Sequence, residues 1–168
     1  MSHIPEERHR RGLVVQHSLA ENAVLQVYDR PPFARWGRLH HAAIRDFARR
    51  IVRDYDIRAP GIDIEAGTLS GGNQQKLVLG RELSRGPRLL VAAQPTRGLD
   101  VGAIEYLYRR ILEERDRGVA VLLVSTELSE VLALGDRIAV IFEGEFVGEM
   151  AAEDLDIERI GLLMGGVR

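Results

Sequence analysis

From Ser70 onward, apolar runs too short for helices alternate with longer stretches of helical period, an order that few architectures accommodate. Leu89–Ala93 and Val119–Val124 contain no polar residue, as expected of parallel strands covered on both faces. Between them, residues 101–117 turn Leu107, Ile111 and Leu112 inward on one helical face, and Gly118 is placed to cap the C-terminus. Ser70 can cap a helix over Gly71–Arg85, with Gly86-Pro87 as its stop. Glu127–Leu134 suits a short helix and Arg137–Phe142 a strand. Glu145–Glu149 is its hairpin partner across Glu143-Gly144, and Leu155–Met164 a last helix. Alternation of this kind predicts an α/β sheet.

The first third reads differently. Ser18 and Glu21 have capping-box spacing and open a helix running to about Tyr28, stopped before Pro31-Pro32. Ile44, Phe47, Ile51, Val52 and Tyr55 share one face of a second helix ending near Ile57, after which Ala59-Pro60-Gly61 begins a loop. A helical part, 1–68, therefore precedes the α/β part, 69–168.

A length of 168 residues suits about one domain. The absence of cysteine removes disulfides, thiol nucleophiles and Cys-based zinc sites. No apolar stretch approaches the ~20 residues of a membrane span, and Met1–Arg11 lacks the apolar centre of a signal peptide. These features predict a soluble, cytoplasmic chain. Residues 1–58 carry 11 Arg against 7 acids, and residues 59–168 carry 12 basic against 18 acidic, summing to −2. The arginines are interleaved with acids and aromatics reach only 5%, so solvated helix faces, and no nucleic-acid partner, are expected. His3, His9, His17, His40 and His41 show no metal-ligand spacing. Glu113-Glu114 and Glu153-Asp154 read as solvated faces, and Trp36 as either core or a contact for a membrane partner.

Only Lys76 among the 23 basic residues is a lysine. A phosphate-binding loop needs Gly-x-x-x-x-Gly-Lys-[Ser/Thr], and Lys76 lacks both the glycine before it and the hydroxyl after it. The chain has no such loop. It has instead Leu69-Ser70-Gly71-Gly72-Asn73-Gln74-Gln75-Lys76, in which two glycines after a capping serine leave amides bare at a helix N-terminus. Phosphate oxygens suit that place, since the amides are unpaired and the helix dipole favours negative charge. Alone, Ser-Gly-Gly is more often an ordinary glycine-rich loop before a helix.

The octapeptide resembles the signature motif of ABC ATPases, in the form carried by bacterial sugar and nucleoside importers. Leu89-Leu90-Val91-Ala92-Ala93-Gln94-Pro95-Thr96-Arg97-Gly98-Leu99-Asp100 falls where that family places its Walker B strand and D-loop. Val124-Ser125-Thr126-Glu127-Leu128-Ser129-Glu130-Val131 resembles the switch region, followed by Gly135-Asp136-Arg137-Ile138. Ile4-Pro5-Glu6-Glu7-Arg8, Gly12-Leu13 and Ser18–Asn22 look like the start of the helical subdomain. More narrowly, the chain resembles the second ATPase half of importer subunits in which two halves are fused. Its Ala92–Ala103 string looks most like the branch serving nucleosides alongside basic membrane lipoproteins.

The resemblance implies part of a P-loop NTPase sheet (69–168) with an N-terminal helical signalling subdomain (1–68). It also implies a C-terminal fragment, since the family's phosphate-loop strands precede Ile4, or else a partner that supplies them. ATP with Mg²⁺ would be shared with another ATPase half. Permease subunits would be met through the helical subdomain, peripherally on the inner face of the membrane. Ser70, Gly71 and Gly72 would complete the partner's ATP site, Asn73 and Gln74 would contact phosphate or ribose, and Asp100 would lie on the interface. The departures are as informative. Where the family has a Mg²⁺-holding Asp and a water-polarising Glu, this chain has Ala93 and Gln94, and Thr126 replaces the switch histidine. Glu6 stands at the Q-loop position. A glutamine can orient water but is no general base near neutral pH, so no catalytic residue is assigned, and independent hydrolysis is not expected. A non-catalytic regulatory or dimerisation module is the alternative.

Overall fold

Ser2–Ile4 forms a strand, β1, that the charged surroundings conceal: Ile4 is fully buried. The computed structural model describes residues 1–167, which separate into two compact units dividing after Val124. In the first unit, Arg8–Gly12 makes one π-helical turn, and helix α1 (Leu19–Val24) starts from the predicted capping box. There Glu21 N donates to Ser18 Oγ, and Ser18 N donates to the Glu21 carboxylate at 2.7 Å. Helix α1 stops at Val24, short of Tyr28, because the chain then folds into successive turns, Val27 N to Val24 O and Arg30 N to Val27 O.

Next comes a hairpin that periodicity did not reveal, β2 (Ala34–Arg35) with β3 (Arg38–Leu39). Its two turn residues, Trp36 and Gly37, have φ of +57° and +73°, the pattern of a type I′ turn. Trp36 is 89% exposed, which removes the core option. Helix α2 (His41–Asp54) turns Ile44, Ala48 and Ile51 inward, and helix α3 (Gly71–Leu83) buries Leu77, Val78 and Leu79 completely. Each such side chain is worth about 1.5–3 kcal/mol of burial. Gly80 lets the two helices touch: a Cβ there would lie 2.9 Å from the Tyr55 ring.

The sheet of this unit has the order β1, β4 (Leu89–Ala93), β5 (Ala120–Val124), all parallel, with helix α4 (Val101–Asp116) between β4 and β5. Leu90 and Ala92 are fully buried, but β5 departs from the two-sided burial expected of it, with Leu122 and Val124 about half exposed. It is the edge of this three-stranded sheet and pairs only with β4 within it. Helix α4 buries Leu107 and Ile111 as predicted, and Gly118 follows it at φ +89°. Glu114 is also buried, with Arg117 Nη1 at 2.6 Å, so the Glu113-Glu114 pair is not a fully solvated face.

One buried ionic group ties this unit together. Glu82 Oε1 accepts from Gln26 Nε2 (2.7 Å) and Arg81 Nη2 (3.2 Å), and Oε2 accepts from Arg85 Nη1 (3.2 Å) and the His3 amide (3.3 Å). Ser2 Oγ donates to the Glu82 carbonyl. Strand β1 is thus fastened to α3.

The second unit contains helix α5 (Leu128–Leu134), the antiparallel pair β6 (Arg137–Phe142) and β7 (Glu145–Ala151), and helix α6 (Ile157–Met164). The predicted turn is present, with Glu143 at φ +49° and Gly144 at +84°. Ile138, Val140, Ile160 and Leu163 form its core. At Gly148 a Cβ would lie 2.5 Å from Leu163 Cδ1, so α6 packs directly on the strand backbone.

Candidate functional site

Ser70 lies just before α3 in extended conformation, and its Oγ accepts from Asn73 Nδ2 (2.9 Å) and the Asn73 amide (3.4 Å). The first intrahelical bond runs from the Gln74 amide to the Ser70 carbonyl. The Gly71 and Gly72 amides precede it, in the positions that a helix leaves unsatisfied.

Both glycines are closely approached by their neighbours. A Cβ on Gly71 would lie 2.8 Å from Arg8 Nη2, and one on Gly72 would lie 3.0 Å from Ala103 Cβ. The start of α4 therefore abuts the start of α3. Asp100 caps α4, its Oδ1 accepting from the Ala103 amide at 2.9 Å, and its other oxygen would be 3.7 Å from a Cβ at Gly72. Two helix N-termini thus stand side by side. They open on a cavity of about 400 Å³ that runs between α3 and α4 toward Lys76, Tyr106 and Arg109, with Asp56 and Arg58 on its rim.

Lys76 is tied into that wall: Nζ donates to the Asp56 carbonyl (2.8 Å) and carboxylate (3.0 Å) and lies 4.4 Å from the Tyr106 ring centroid. The Lys76 hydrogen bond holds the Asp56 carboxyl below its ordinary range, and burial pushes the Tyr106 phenol up.

Ser70, Gly71, Gly72, Asn73 and Asp100 are brought together. Gln74 does not join them. It is buried, its amide nitrogen donates to the Leu69 carbonyl at 3.1 Å, and its Oε1 lies 2.6 Å from His9 Nε2. A contact between Gln74 and phosphate or ribose therefore has no support in this arrangement: the side chain braces the loop from beneath. Gln75 likewise turns inward and donates to the Pro95 carbonyl at 2.7 Å.

Arg8 is the residue that sequence reading missed. Its Nη1 donates to the Arg97 carbonyl (2.9 Å) and its Nε to Gln74 Oε1 (3.4 Å), so it bridges the glycine loop and the turn before Asp100. Glu6, in the turn after β1, pairs with Arg97 at 2.5 Å. Nothing local flags Arg8, because its partners are more than sixty positions away.

The end of β4 is chemically different. Ala93 closes the strand with a methyl group, and Gln94 follows at φ +46° with its amide donating to the Val124 carbonyl at 2.8 Å. Left-handed backbone at a glutamine is uncommon. Thr126 belongs to the second unit, in the segment leading to α5, where the Glu127 amide donates to Ser125 Oγ. Among the described residues no group of three His, Asp or Glu side chains could hold a metal ion.

No family model matches the chain. The guanosine import ATP-binding protein NupO of Bacillus subtilis is 48% identical over 166 residues, covering 99% of this chain and 32% of that protein. The nucleoside import ATP-binding protein NupA of Lactococcus lactis is 47% identical over 166 residues, covering 99% and 33%. A ribose import ATP-binding protein of Rubrobacter xylanophilus is 42% identical over 166 residues, covering 99% and 32%. The chain spans about a third of the length of these curated relatives.

Among solved structures, a dimeric ATP-binding cassette in a post-hydrolysis state bound to ADP and Pi superposes with a TM-score of 0.71 at 22% identity, over 90% of this chain and 62% of that one. No helix of the described residues is long and apolar enough to cross a membrane. Along nearly its whole length, then, the chain is homologous to the ATP-binding proteins of ABC-type nucleoside and sugar importers, and its fold is that of ABC ATP-binding cassettes.

Proposed function

We propose that the chain acts as part of the ATP-binding component of an importer for nucleosides or sugars, and that its role is to complete an ATP site begun by another ATPase half. The observation that carries this reading is the pair of first-turn amides at Gly71 and Gly72, beside an open cavity that Ser70, Gly72 and Asp100 line. The amides and the dipole of α3 receive a phosphate tail presented from outside, while the phosphate loop, whose Gly-x-x-x-x-Gly-Lys-[Ser/Thr] pattern does not occur in this chain, is contributed by the partner. A phosphate tail suits this place because Gly71 and Gly72 put no side chain beside the first-turn amides of α3.

Mg²⁺ does not fit at the end of β4. Ala93 and Gln94 offer no carboxylate, so the ion belongs with the other half's donors and no step is assigned to it here. Such catalysis is chiefly positioning and charge stabilisation, so donors supplied across an interface control turnover without performing hydrolysis. The nucleoside branch is favoured by the two nucleoside-importer relatives at 47–48% identity. On this reading the chain corresponds to a second ATPase half, residues 1–68 form the helical subdomain that docks on permease subunits, and the assembly works peripherally on the inner membrane face. The missing carboxylates at Ala93 and Gln94 also favour a second reading, a regulatory or dimerisation module that never supports turnover.

ATP turnover by a phosphate-loop-bearing half of such an importer, measured with and without this chain, separates the two. The expected result is no turnover by the chain alone, stimulation on mixing, and loss of the stimulation with Gly71→Asp, whose carboxylate would occupy the amides and pair with Arg8. Turnover by the chain alone, abolished by Gly71→Asp, would overturn the proposal. Stimulation untouched by Gly71→Asp would do so equally, and no stimulation at all would leave the regulatory module.

A further inference from the structure

The interleaving of acids and bases in the N-terminal third fails in one place. Between Asp29 and Asp46 there is no acidic residue, while Arg30, Arg35, Arg38 and Arg45 all occur. Arg45 is neutralised by Asp63 at 2.8 Å, and Arg30 lies 3.7 Å from Asp29. The uncompensated charge is left on Arg35 and Arg38, both exposed and without an ion pair among the described residues. They flank the tip of the β2–β3 hairpin, where Trp36 is 89% exposed, with Leu39 also about half exposed. Trp36 holds a φ of +57°, which asparagine or glycine adopts more readily. Nothing in the packing requires an indole there.

We propose that this hairpin contacts the surface of an anionic phospholipid bilayer, with the Trp36 indole at headgroup depth and Arg35 and Arg38 against lipid phosphates. Tryptophan settles at membrane–water interfaces because its ring is apolar and its N–H is polar. Basic residues beside it gain from the negative surface potential. The hairpin's size favours lipid over protein: its two strands have two residues each, and a Cβ at the turn residue Gly37 would meet nothing within 4 Å. That is far less surface than the ~800 Å² per partner of a standard protein interface, whereas a headgroup layer demands no matching contour. This inference is separate from the ATP site and stands or falls without nucleotide.

Trp36 is the only tryptophan, so tryptophan emission of the full chain reports the hairpin alone. Vesicles of two parts phosphatidylcholine to one part phosphatidylglycerol should move the emission to shorter wavelength, and pure phosphatidylcholine should not. The shift should reverse when salt is raised to about 0.5 M. In co-sedimentation, Arg35→Ser and Arg38→Ser should each weaken binding about fivefold, and Trp36→Asn, which suits the turn, at least as much. Emission unchanged by anionic vesicles would overturn the proposal. So would undiminished binding by the variant combining Arg35→Ser, Trp36→Asn and Arg38→Ser, or a shift produced by polyglutamate and not by vesicles, which would assign the hairpin to an acidic protein surface.

Discussion

The start of α3 and the end of β4 both belong to the first unit and offer opposite resources. At α3 the useful groups are backbone amides at two glycines, braced by the buried Gln74 from below and the half-buried Arg8 from the side. At β4 any useful group would have to be a side chain, and the two positions hold a methyl and a neutral carboxamide. Phosphate recognition of the first kind needs only glycine and a helix start, whereas proton and metal chemistry of the second kind needs carboxylates. A chain can therefore lose hydrolytic groups and keep a recognition surface intact, which is the division of labour proposed for this one.

The contrast depends on α3 being held rigidly, and its anchorage is the place to break it hardest. Glu82→Ala would leave Arg81, only 3% exposed at its side chain, without its carboxylate, and would remove the carboxylate's bond to the His3 amide of β1. Removing one partner of a buried pair costs about 3–5 kcal/mol, so the denaturant midpoint should fall sharply, or folding be lost. A loss under about 1 kcal/mol would mean that α3 is steadied elsewhere. A gentler perturbation sharpens the same contrast. Asp100→Ala removes the cap of α4 beside Gly72 and should cost about 1 kcal/mol. Ala93→Gly at the β4 end touches no such device, and phosphate-dependent behaviour should not follow it.

Much of this was legible in the sequence because it is local. The capping box at Ser18, the turn at Glu143-Gly144 and the helix from Gly71 depend on residues within one or two turns of each other. β1 was hidden because its three residues pair with the distant Leu90–Ala92, which no local period reports. The β2–β3 hairpin was hidden because a tryptophan occupies a turn position where asparagine or glycine would have signalled it. At the site, the glycines could be named from the local sequence and Asp100 from the family resemblance. Arg8, Arg97 and the inward turn of Gln74 could not, because they depend on which distant segments pack beneath the loop.

ATP-dependent association tests the central claim most directly. Sedimentation of the chain mixed with a phosphate-loop-bearing half, whose own catalytic carboxylate is removed so that ATP persists, should show a complex with ATP and none without it. That complex should vanish with Gly71→Asp and persist with Gln94→Glu. A complex indifferent to Gly71→Asp, or one lost with Gln94→Glu, would place the nucleotide at the end of β4 and contradict the account.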